Sequence, residues 1–170
     1  MPQTKYSHKA YILDYETIRK TAVWPGHVVD FRYSVKNRKA GSDRRPLVFV
    51  LFRDRDKDLF HGINLNYLSE FEVQKLFREV RKIVPLNQSD TSAATLSETT
   101  VRFDIDKYSE KIPQLIYDKI IRPKFLAFGK TDCYRTYSMS KMSSMRVVAY
   151  KIERDFRDWK GRYSDEENKL

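Results

Sequence analysis

Asp54, Asp56 and Asp58, in DRDKDLFHGINL, set carboxylates at alternate positions, the opening of a calcium-binding loop. The rest of that loop is missing. Leu59 stands where the tight turn needs glycine, and Leu65 where a bidentate acid should close the coordination sphere. With Arg55 and Lys57 between them as counter-charges, the three acids read as a solvated turn between strands. Asp104 and Asp106 flank a predicted strand end, where nuclease carboxylates sit, but no further acids are identifiable that would converge with them on a metal. His8, His27 and His61 are scattered and have neither zinc spacing nor a helical His-x-x-x-His pairing. His61, next to Gly62 in a predicted strand, reads as a half-buried side chain rather than a base. Cys133 has no histidine close in sequence and reads as a core thiol rather than a nucleophile. The chain has no phosphate-cradling P-loop, no dinucleotide fingerprint and no nucleophile elbow. The expectation is a non-enzymatic protein with no catalytic residues, no cofactor and no metal. A metal-dependent nuclease using Asp104 and Asp106 is the remote alternative.

Cations give the stronger signal. The net charge is +10, which points to nucleic acid, an acidic protein or a membrane surface as partner. One concentration is KNRKAGSDRR, with Lys36, Arg38, Lys39, Arg44 and Arg45 on a loop between two predicted strands. A second is CYRTYSMSKMSSMRVVAYKI, where Tyr134, Arg135, Lys141 and Arg146 combine phosphate donors with rings on which bases stack. Tyrosine and methionine at helical spacing equally well fill a core, so this second stretch supports both readings. No apolar run approaches the ~20 residues that span a bilayer. MPQTKYSHKA lacks the apolar centre of a signal peptide, and one cysteine excludes an internal disulfide. The expectation is a protein used without export and without a membrane.

These side chains need elements to hold them. A chain of 170 residues with 41% hydrophobic and 14% aromatic content is long and apolar enough to bury a core. Residues 1–25 read as a basic, tyrosine-rich arm with a helical turn around Tyr15 to Thr21, closed by Pro25-Gly26. Val29, Phe31, Tyr33 and Val35 alternate as in a half-buried strand, and PLVFVLF is short and continuously apolar, as in a strand covered on both sides. HGINLNYL follows as a third strand with a sharp bend, in which Gly62, Asn64 and Tyr67 are structural. Ser69 and Glu72 have capping-box spacing ahead of a helix running to Val84, with Val73, Leu76, Phe77 and Val80 on one face. Residues 86–98 read as a loop, and 99–105 alternate as a fourth strand. Ser109 or Asp106 would cap a helix containing Leu115, Ile116, Ile120 and Ile121. A short third helix is expected from Asp132 to Met142, and a closing strand from Met145 to Ile152.

The predicted class is α+β. A single sheet of so few strands cannot shelter both faces, so the economical arrangement is a small, strongly bent sheet or SH3-like barrel with inserted and flanking helices. The division is an arm at 1–25, a core at 26–152 with a helical insertion at about 69–143, and a mixed-charge tail at 153–170 carrying Phe156, Trp159 and Tyr163.

The V-x-F-x-Y strand, polar loop, PLVFVL, charged turn, HGINLNYL, capped helix and later CYRTYSMSKM resemble small proteins of T4-like tailed bacteriophages. Those proteins are described as DNA end protectors or virion structural proteins, and they share a GLNLHYL-type element. The resemblance spans Val28 to Ile152 and is most specific at Gly62 to Leu68, although Asn66 stands where that group often has histidine. It implies a structural protein of the virion, at the head-tail or tail-baseplate region. It would assemble in multiple copies with other phage proteins, within the host cytoplasm during assembly, its basic face turned to double-stranded DNA. The alternative it implies is a protector that caps DNA ends, with the basic loop and Tyr134 and Arg135 clamping the backbone.

Overall fold

The structure, a computed structural model, describes residues 5–20, 23–34, 44–83 and 111–152. Among these residues six strands form one antiparallel sheet: β1 (Ile12–Thr17), β2 (Val28–Tyr33), β3 (Leu47–Asp54), β4 (Leu59–Asn64), β5 (Tyr134–Ser138) and β6 (Met142–Tyr150). Their order is β1-β6-β2-β3-β4-β5.

The alternation that predicts β2 sorts its residues between two apolar clusters. Val28 faces one with Phe49, Ile63 and Val148; Val29 and Phe31 face the other with Val48, Phe60 and Tyr137. The first cluster is covered by helix α1 (Glu70–Ile83), which buries Val73, Leu76, Phe77 and Val80 on the expected face. Ser69 starts this helix as its spacing predicts: the Glu72 N–H donates to Ser69 Oγ at 3.2 Å, and the Ser69 N–H to Glu72 Oε1 at 3.0 Å. Ile116, Ile120 and Ile121 complete the cover from helix α2 (Lys111–Ile116) and the π turn Tyr117–Ile121 that continues it. The widening has a local cause. Arg122 N–H bonds back to the Tyr117 carbonyl just before Pro123, which has no N–H to donate to the ladder of the short α3 (Arg122–Lys124).

The second cluster is aromatic. Phe31 meets Phe60 and Tyr137 edge-on at 5.7 and 5.3 Å between ring centroids, and Tyr33 meets Tyr137 at 5.2 Å. Ile18 and Val23 pack against it.

The class α+β is right, but the bent sheet or barrel is not: the sheet is open and not strongly curled. Among the described residues β5 pairs only with β4, and β6 with β1 and β2, so β1 and β5 are the edges there. The expectation fails because it counts too few strands. Residues 12–17, expected in an arm whose helical turn starts around Tyr15, pair with β6; residues 134–138, expected inside a third helix, pair with β4. With six strands, helices on one face and an aromatic layer on the other, neither face needs closure for shelter. The predicted third helix is reduced to one-turn 3-10 segments, Thr131–Cys133 and Met139–Lys141, on either side of β5, and the closing strand starts at Met142. The predicted strand at 99–105, the cap at Ser109 or Asp106, the loop at 86–98 and the tail from 153 lie outside the described residues.

Gly62 sits where backbone approaches backbone. A Cβ there would stand 2.4 Å from the Phe49 carbonyl oxygen and 2.6 Å from Val48 Cγ1, beside the register shift between Val50 and Phe52. β4 then ends at Asn64, whose Oδ1 accepts the Asn66 N–H at 3.1 Å and whose Nδ2 donates to the Tyr137 hydroxyl at 3.2 Å. This turns HGINLNYL into a strand followed by a 3-10 turn, Leu65–Tyr67.

Candidate nucleic-acid interface

On β2, Val28, Asp30 and Arg32 share a face. Val28 lies in the helix-covered cluster, whereas Asp30 is buried with two arginines against it. A carboxylate 6% exposed must have partners. Arg146, its register partner on β6, donates from Nε to Oδ1 at 2.9 Å and from a terminal nitrogen to Oδ2 at 2.6 Å. Arg45, from the foot of the β2–β3 loop, donates to the same two oxygens at 3.1 and 3.3 Å. While its edge bonds Asp30, a face of the Arg146 guanidinium lies on the Tyr15 ring, 3.9 Å from its centroid. Asp30 thus raises the Arg146 pKa further, through those hydrogen bonds, and fixes two guanidiniums.

Above this clamp the surface is basic. Arg32 is exposed opposite Ser143, and exposed Arg44 accepts the Tyr33 N–H on its carbonyl. Exposed Lys141, on the 3-10 corner before β6, accepts the Ser34 N–H on its carbonyl at 2.9 Å. Three elements therefore bring Arg32, Arg44 and Lys141 to the end of β2, where the chain leaves for residues 35–43. Lys36, Arg38 and Lys39 are in that segment, outside the described residues.

The structure separates the remaining candidates from this end. Arg135 lies over the buried Tyr67 ring at 5.0 Å and donates to the Asp132 carbonyl at 2.8 Å. Tyr134 packs against the helix-side core beside Tyr117, at 5.1 Å between centroids, and burial pushes its phenol up to about 12. Both anchor β5. Arg45 and Arg146 are brought together, but on Asp30. The sequence reading missed Asp30 and Arg32, although a signal was present: a charge inside an apolar strand requires a neutralising neighbour, and period-2 alternation carries Arg32 onto the same face.

The other groups considered for chemistry have structural places. His8 is buried, its Nε2 2.8 and 3.1 Å from the Leu65 and Leu68 carbonyls and its Nδ1 2.9 Å from the Tyr150 hydroxyl. Donation from Nε2 and acceptance at Nδ1 suit a single neutral tautomer, and burial lowers its pKa accordingly. His61 Nδ1 meets the Thr136 hydroxyl at 2.7 Å across the β4–β5 ladder. Cys133 is buried with its thiol donating to the Lys130 carbonyl at 2.8 Å, and burial pushes that thiol up to about 12, far from a nucleophile's range. Asp54 Oδ1 accepts the N–H groups of Asp56 and Lys57, both at 3.1 Å, closing the β3–β4 turn. Among the described residues no group of three or more histidines, cysteines or acids is placed to hold a metal. Asp104 and Asp106 lie outside them.

Comparison with family models, with curated proteins and with solved structures found no match to this chain.

Proposed function

We propose that this protein is a non-enzymatic binding and assembly component that meets the phosphate backbone of DNA with the basic end of its sheet. The observation that carries the reading is the convergence of exposed Arg32, Arg44 and Lys141 around the end of β2, above two arginines already fixed on Asp30. Phosphate contacts need cations on a firm support and no base-reading element. A sheet end built from β2, the foot of the β2–β3 loop and the 3-10 corner provides that support. The virion setting, with other phage structural proteins as neighbours, is supported by the resemblance of the β2–β4 segment and its GINLNYL element.

The test is binding of a duplex oligonucleotide by the full chain and by a variant carrying Arg32→Ser, Arg44→Ser and Lys141→Ser. The variant should melt as the parent does and bind at least tenfold more weakly at moderate salt. Equal binding by the two would reject the interface. Binding to linear duplex and not to closed circular duplex would favour an end-capping role over general backbone contact. Mass spectrometry of purified particles tests the virion setting separately.

A further inference from the structure

Among the described residues β1 is one edge of the sheet, and Leu13 to Thr17 are all exposed. Leu13 and Tyr15 are 44% and 40% exposed, unusual for large apolar side chains among the described residues. Tyr15 is on the helix-side face, opposite Val148, and Leu13 stands at the register shift between Ile12 and Asp14, whereas Asp14 and Glu16 occupy the other face opposite Ala149 and Val147. The strand thus displays two acids on one face, with exposed Leu13 and Tyr15 beside them, in a chain of net charge +10. The Tyr15 N–H is taken by the carboxylate of its own neighbour, Asp14, at 2.8 Å.

A second copy of β1 is a poor occupant. Antiparallel pairing centred on Tyr15 would set Asp14 opposite Glu16 of that copy twice over, and like charges directly opposite are destabilising. The same acids favour a strand of opposite charge. We infer that β1 accepts an extended basic segment of a partner protein by strand addition. Lysine or arginine side chains lie over Asp14 and Glu16, and apolar side chains lie beside Leu13 and Tyr15. The acids then have two effects, rejecting self-association and selecting the partner. This inference does not rest on the DNA reading, which concerns cations at the end of β2, although Tyr15 also carries Arg146 of the Asp30 clamp on its ring.

The probe is a blocked hexapeptide alternating lysine and valine, with a glutamate-valine hexapeptide as control. Fluorescence anisotropy should show the lysine peptide binding the full chain. Asp14→Lys combined with Glu16→Lys should weaken that binding roughly tenfold, from the change of two cross-strand charge pairs. In the unaltered protein, hydrogen exchange at the Leu13, Tyr15 and Thr17 amides should slow with the lysine peptide and stay unchanged with the glutamate peptide. Should the double variant misfold, the exchange measurement decides alone. No binding, equal binding to a folded variant, or binding that leaves those amides unprotected overturns the inference.

Discussion

Asp30 and Arg146 face one another across the β2–β6 ladder and are joined by two hydrogen bonds, at 2.9 and 2.6 Å. Arg45 reaches the same carboxylate from the foot of the β2–β3 loop. One buried acid therefore ties a central strand, its neighbour and the residue that leads into β3.

Asp30→Asn is expected to have two opposite effects. Stability should fall by roughly 1 to 3 kcal/mol, the range for charged hydrogen bonds, lessened because both arginines are about a third exposed. DNA affinity should rise, because two guanidiniums next to the basic end lose their counter-charge. Urea unfolding and an oligonucleotide titration read the two separately. A destabilised variant with unchanged affinity would place Arg45 and Arg146 outside the interface.

Gly62→Ala should already impair folding, since its Cβ would meet the Phe49 carbonyl and no flexible side chain can yield there. Asp56→Asn, on the exposed β3–β4 turn, should leave the melting temperature unchanged. A normally folded Gly62→Ala would mean that β3 and β4 can separate at their register shift.

The capping box and the helix core give graded expectations. Ser69→Ala should destabilise by about 1 kcal/mol, and Leu76→Ala, in the fully buried face of α1, by roughly 2 to 5 kcal/mol. Equal small losses in chemical denaturation would indicate that α1 is only loosely docked.

Stability should also fall as the pH drops below about 6.5, the ordinary histidine value. Burial lowers the His8 pKa in the folded chain, so the unfolded chain takes up the proton first. Stability is then full above that value and is lost as the pH falls toward the depressed one. Unfolding at pH 7.5 and 5.5 should show a smaller difference for His8→Gln than for the parent. An identical difference would mean that His8 does not cause the acid loss of stability.

Legibility in the sequence followed the range of the interaction. β2, β3 and β4 are adjacent in the chain and apolar enough to announce themselves, and Ser69, Glu72 and Gly62 act through near neighbours. β1 and β5 are edges, with the exposed residues Leu13 to Thr17 and Thr136, so neither has a clean alternation. The partner of β1 lies at the far end of the chain, and nothing local reports that pairing. The candidate interface divides in the same way. Clustered cations in 36–45 are visible as composition, whereas the capture of Arg45 and Arg146 by Asp30 depends on strand register. Tyr134 and Arg135 looked like a stacking platform because ring and cation are adjacent in sequence, but Tyr117 and Tyr67 hold them in place.

The salt dependence of duplex binding reports directly on whether the basic end of the sheet meets DNA phosphates. Phosphate contacts release counterions, so log affinity falls with log salt at a slope of about −0.9 per phosphate neutralised. Removing Arg32, Arg44 and Lys141 together should flatten that slope by nearly three units while the protein stays folded. An unchanged slope in a folded variant would contradict the assignment of the basic end of the sheet as the DNA-contacting surface.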